Sequence, residues 1–178
     1  EGFAFLPVTC FAMALSTFVG QNLGAQQYGR VKKGVRFAVI CSVSMAELIG
    51  VASYLLAPQL ISIFNDSPEV VAYGAAHMRT ICLFYCLLAL SHCIAGILRG
   101  AGKATVPMFI MLGCWCLLRV TYISIAMQHV NELHTVSMAY PITWFASSVL
   151  FIIYFYAADW MHAFDRQAAR EKQVQNEA

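Results

Sequence analysis

The chain has 178 residues and a formal net charge of +2, with 60% of its residues hydrophobic and only 11% charged. Soluble domains carry about a quarter of charged residues, so this balance excludes an ordinary water-soluble domain. The lack of any basic run or basic-aromatic array argues against a nucleic-acid partner.

The apolar residues fall in blocks near the ~20 residues needed to cross ~30 Å of hydrocarbon. The first residue is Glu1 rather than Met, with neither a basic leader nor a small-residue cleavage site. The sequence therefore reads as a fragment or processed product without a signal peptide. The first span, residues 3–19, contains Pro7 and leads to a connector bearing Arg30, Lys32, Lys33 and Arg36. The second, residues 35–57, is interrupted by Glu47, and the connector after it carries Asp66 and Glu69. The third, residues 70–98, is long and holds His77, Arg79 and His92; Arg99 and Lys103 flank the tight turn that follows. The fourth, residues 106–127, holds Arg119 and is followed by a connector with Glu132. The fifth, residues 136–158, contains Pro141 and ends near Tyr156 and Trp160, whose rings suit the headgroup level. A polar tail, residues 159–178, reads as a cytoplasmic surface helix or a disordered segment.

No span alternates as a barrel strand would, and a helix satisfies its own backbone in lipid. The expected fold is all-α and integral to the membrane, with about five transmembrane helices. Nine of the eleven Lys and Arg lie in alternate connectors and the tail, including Arg166, Arg170 and Lys172. Basic residues mark the cytoplasmic side. The C-terminus is accordingly expected in the cytoplasm of a multi-pass protein of the plasma or inner membrane.

Three charged residues fall inside spans. Glu47 is about 12 residues, roughly 18 Å, from the inner end of its span; Arg119 about 13 residues, roughly 20 Å; Arg79 about 9 residues, roughly 14 Å, from the outer end. All three are near mid-depth, where an ionisable group rarely faces lipid. Either Glu47 pairs with one arginine and holds helices together, or the three line a path for substrate or ion. His77, His92 and the span serines read as packing and hydrogen-bonding groups. The seven cysteines, all in apolar blocks, read as small packing residues, not metal ligands. No nucleophile elbow, zinc motif or P-loop is present, so neither catalysis nor a cofactor is expected.

The stretch Thr17-Phe18-Val19-Gly20-Gln21-Asn22-Leu23-Gly24-Ala25, with Arg30-Val31-Lys32-Lys33-Gly34 after it, resembles the signature of the multidrug and toxin extrusion (MATE) transporters at the end of their eighth helix. Leu98-Arg99-Gly100-Ala101-Gly102 resembles the motif ending their tenth. The resemblance covers essentially the whole chain. It implies helices eight to twelve of twelve, forming most of one six-helix lobe, with the N-terminal lobe of the same transporter as partner. It further implies export of drugs or other small amphipathic or cationic compounds, driven by sodium or protons. Helix eight lines the gap between lobes in that family, which makes Thr9, Phe11, Met13, Ser16 and Thr17 candidate gap-facing residues. Relatives place a coupling carboxylate in the tenth helix; span three has none, so the coupling ion is expected to bind outside this chain. A lipid-linked sugar flippase or polysaccharide exporter of the same superfamily is the alternative reading, and a membrane-embedded enzyme the alternative from another class.

Overall fold

A computed structural model describes residues 2–129 and 133–162, with side chains placed for 5–128 and 134–162. Glu132 and the basic tail residues Arg166, Arg170 and Lys172 lie outside the described residues. Every regular element among the described residues is helical: α1 (Gly2–Gly24), α2 (Tyr28–Leu55), α3 (Ala57–Ser62), α4 (Pro68–Cys82), α5 (Tyr85–Gly100), α6 (Thr105–Met111), α7 (Arg119–His129) and α8 (Leu133–Ala157), with a π-helical segment, Leu112–Leu118, joining α6 to α7.

Four helical rods are long and apolar enough to cross a membrane: α1, α2, the rod from Thr105 to Gln128, and α8. α4 and α5 pass the same test only as a pair, bent by 54° where they meet, the geometry of a broken span or of a re-entrant loop. Four to five candidate spans stand against the expected five, with two differences in detail. First, α2 begins at Tyr28, seven residues before the apolar block. Its 28 residues reach ~42 Å, so its first two turns project beyond ~30 Å of hydrocarbon. Arg30, Lys32, Lys33 and Arg36 thus belong to a helix and not to a loop, as good helix formers can. Second, span three is broken at Leu83–Phe84, where a continuous helix was expected.

α5 is the central helix, packed against α1, α2, α6 and α8. From Ser91 to Leu98 every residue is buried, which explains an apolar composition without a polar stripe. Small residues let α1 lie against it. A methyl group on Gly96 would overlap the Ala12 carbonyl, and one on Gly100 would overlap the Ser16 carbonyl. From the other side, Gly20 faces the Gly100 carbonyl. Gly24, the second member of the first G-x-x-x-G, has nothing near it. The seam between the helices is filled by Val8, Ala12, Leu15, Val19 and Leu23 of α1, each at most 2% exposed.

Both connectors at the basic end close in the same way. The Gly102 N–H donates to Arg99 O at 3.0 Å and the Lys103 N–H to Leu98 O at 2.8 Å, with Gly102 at φ +74°. This Schellman closure requires a left-handed residue, and Gly102 supplies it without strain. After α1 the equivalent bonds run from Gln26 to Leu23 O at 2.9 Å and from Gln27 to Asn22 O at 2.8 Å, but the left-handed position, φ 56°, is held by Gln26.

Outside α5 the surface is greasy. Phe37 is 71% exposed, Leu48 69% and Val120 64%, all within the apolar spans. Such faces are untenable in water and ordinary against lipid or another membrane helix.

Candidate functional site

The break between α4 and α5 has no proline or glycine at its corner. The Phe84 N–H turns back to Ile81 O at 3.0 Å and the Leu88 N–H reaches Phe84 O at 3.4 Å. The Cys82 carbonyl is directed at Gly50 of α2, where a β-carbon would collide with it. One turn before Gly50, Glu47 is half-buried. Cys82 and Cys86, on either side of the corner, lie within its electrostatic reach. Its Oε2 is buried with no hydrogen-bond partner among the described residues. A buried polar atom left without a partner is uncommon and marks a candidate site.

Both arginines lie over aromatic rings. Arg79, exposed on α4, lies over the Tyr54 ring at 5.7 Å and donates from Nε to Tyr54 O at 3.4 Å. Arg119, the first residue of α7, donates to Thr143 Oγ1 at 2.7 Å. Its guanidinium lies 4.4 Å from the Tyr140 ring centroid and 5.5 Å from that of Trp115. Aromatic faces attract cations through their quadrupole, and both guanidinium groups lie over such faces.

Arg119 forms one wall of a small cavity of about 70 Å³, closed by Phe5, Tyr85, Leu88, Trp115, Tyr140 and Trp144. Both helical irregularities converge there. Tyr85 is the first residue after the α4–α5 break, and Trp115 lies inside the π-helical segment. Such interruptions in membrane helices recur at functional sites. The aromatic wall was not singled out from the sequence, although Trp115 and Arg119 are four residues apart, as are Tyr140 and Trp144, and a helix brings such pairs onto one face.

The five α1 candidates divide. Met13 is 70% exposed and Thr17 is exposed; with Leu6, Cys10 and Gln21 they make a stripe along α1 that the rest of the chain leaves uncovered. Phe11 packs against the main core cluster. Thr9 is half-buried and donates to Leu6 O at 2.8 Å, and Ser16 is half-buried at the α5 contact. The motif residues act structurally in part: Gly20 and Gly100, eighty positions apart, touch, and Asn22 Nδ2 donates to Phe18 O at 2.7 Å. Gln21 and Arg99 are exposed.

His77 shares a hydrogen bond of 2.7 Å with Ser137, and His92 is buried beneath Phe5 and Trp115. Ser148 donates to Leu87 O at 3.0 Å, binding α8 to α5. The described residues contain no cluster of metal-ligating side chains.

Residues 1–125 match the MatE family. Over 110 residues the chain is 29% identical to a probable multidrug resistance protein NorM of Thermotoga maritima, covering 62% of this chain and 24% of that protein. Over 164 residues it is 30% identical to multidrug and toxin extrusion protein 1 of Danio rerio, covering 86% and 26%. The chain thus spans about a quarter of the length of these relatives. Its fold matches the crystal structure of an aspartate-to-asparagine mutant of the Vibrio cholerae MATE transporter VcmN with a TM-score of 0.76, 16% identity, and coverage of 89% of this chain and 38% of that one.

Proposed function

Because the chain belongs to the MatE family, we propose that it is the C-terminal part, helices eight to twelve, of a cation-coupled antiporter that exports small amphipathic or cationic compounds. The observation that carries this reading is the meeting of a family match over residues 1–125 with mid-membrane charges set at two helix interruptions. The relatives' names, multidrug resistance protein and multidrug and toxin extrusion protein, support the substrate class. The basic connectors support a cytoplasmic C-terminus. The other lobe of the transporter would face the uncovered stripe of α1, where Met13 and Thr17 would meet substrate; a thioether adapts to ligands of varied shape.

Coupling is assigned to Glu47. Its unsatisfied Oε2 lies beside a corner whose Cys82 carbonyl is turned toward the same helix, α2. Discontinuous helices in transporters expose such carbonyls to coupling ions. Sodium or a proton arriving from outside would occupy this oxygen, and leave it when the lobes rock. Arg79 lies over the Tyr54 ring, and Arg119 over the Tyr140 and Trp115 rings.

The test is export of a cationic dye by the full-length transporter in an efflux-deficient host, with and without a sodium or proton gradient. Gradient-dependent export is expected. Export of no cationic dye under either gradient, with the protein in the membrane, would overturn the antiporter reading and favour the flippase.

A further inference from the structure

A second cavity lies far from the aromatic one. Between α2, α5 and α8, where α2 begins and α8 finishes, runs a groove of about 1050 Å³. Leu90, Ile94 and Ile97 of α5 form its floor, and Ile40 and Ile152 belong to its walls. Lys32, Arg36 and Asp159 stand at one end.

The dimensions are those of one lipid leaflet. From Lys32 to Ile40 the groove follows ~12 Å of helix, and from Ile97 to Leu90 it follows ~10 Å. Half of a ~30 Å hydrocarbon core is ~15 Å. The charges are at one end and the remainder of the lining is apolar, the pattern of a headgroup followed by an acyl chain.

The charge balance selects the headgroup. Lys32 and Arg36 are four residues apart and share one face of α2. Both are exposed, and neither has a hydrogen-bond or ion-pair partner among the described residues. Asp159 is already held by His162, Nδ1 to Oδ1 at 2.7 Å. A transmembrane helix seated here would have to bring its own anion to the rim, whereas a phospholipid of net negative charge brings one at the right depth. Basic pockets between transmembrane helices bind such headgroups.

We propose that this groove holds one anionic phospholipid, its phosphate on Lys32 and Arg36 and an acyl chain along Ile94 and Leu90. The site is independent of which side of the membrane the basic end faces.

The test uses the full-length transporter in micelles containing equal amounts of phosphatidylglycerol and phosphatidylcholine, with retained lipid counted by native mass spectrometry. The wild type should keep one phosphatidylglycerol, preferred by about tenfold. Lys32→Gln/Arg36→Gln should bring the preference to parity. Lys33→Gln, which removes a charge outside the groove, should leave it. Ile40→Trp, crowding the apolar wall at an exposed position, should reduce retention without changing charge. The proposal fails if the wild type retains no phosphatidylglycerol, as when a helix of the same transporter fills the groove. It fails equally if the double variant keeps its preference, if Lys33→Gln loses as much, or if Ile40→Trp retains lipid normally.

Discussion

Replacing Gly96 by alanine places a methyl group where α1 and α5 are closest. The new carbon would overlap the Ala12 carbonyl oxygen and stand 3.0 Å from the carbonyl carbon and 3.1 Å from Cα. The obstacle is backbone, so no rotamer relieves it and the helices must part by about an ångström. Overpacking of this kind costs about 1–3 kcal/mol. The parting also weakens dispersion along the seam from Val8 to Leu23, since a gap of 0.5–1 Å forfeits about a quarter to a half of each contact. Against this, alanine gains about 1 kcal/mol of helix propensity. The net expectation is destabilisation by about 2 kcal/mol, read as a lower unfolding midpoint. The assay is thermal unfolding of the purified full-length transporter in one detergent, alongside Gly29→Ala in α2, whose new methyl meets nothing and which should show only the propensity gain, up to about 1 kcal/mol. A Gly96→Ala protein as stable as wild type, or more so, would refute the reasoning, because propensity alone predicts that gain.

Gln26 holds a left-handed position, so Gln26→Gly should raise stability by about 1 kcal/mol, read as a higher unfolding midpoint; a lower midpoint would contradict it. Thr143→Val removes the hydroxyl that accepts from Arg119 and should cost about 1.5–3 kcal/mol, as for other hydrogen bonds to charged groups, measured in the same melt. Glu47→Gln should leave membrane yield near wild type and abolish gradient-dependent export, and adding Arg119→Gln should restore neither coupling nor export. Recovery of both yield and export in that double variant would revive a structural ion pair between them.

The apolar spans were legible because lipid imposes one rule on each: about twenty apolar residues with the charges outside. Where the account departs from the sequence reading, the cause is local geometry that hydropathy does not encode. The apolar count marks hydrocarbon and not helix, so the turns of α2 from Tyr28 to Gly34 were read as a connector. The corner at Leu83–Phe84 carries no helix-breaking residue, and the π-helical segment Leu112–Leu118 is as apolar as its neighbours. Both depend on contacts from other helices. The G-x-x-x-G pairs were visible, but only three dimensions distinguish Gly96, Gly100 and Gly20, which face backbone, from Gly24, which faces nothing. Glu47, Arg79 and Arg119 stood out by their cost in lipid. Their partners did not, because opposite charge was sought where Tyr54, Trp115 and Tyr140 supply aromatic faces.

The central claim is that these helices thread the bilayer with their basic connectors on one side. It is tested most directly by labelling single cysteines, placed at Lys33, Asp66 and Lys103 of an otherwise cysteine-free full-length transporter, with a membrane-impermeant thiol reagent in intact cells. The account predicts that the cysteine at 66 labels from outside, while those at 33 and 103 label only after the membrane is opened. Labelling of all three from the same side would contradict it.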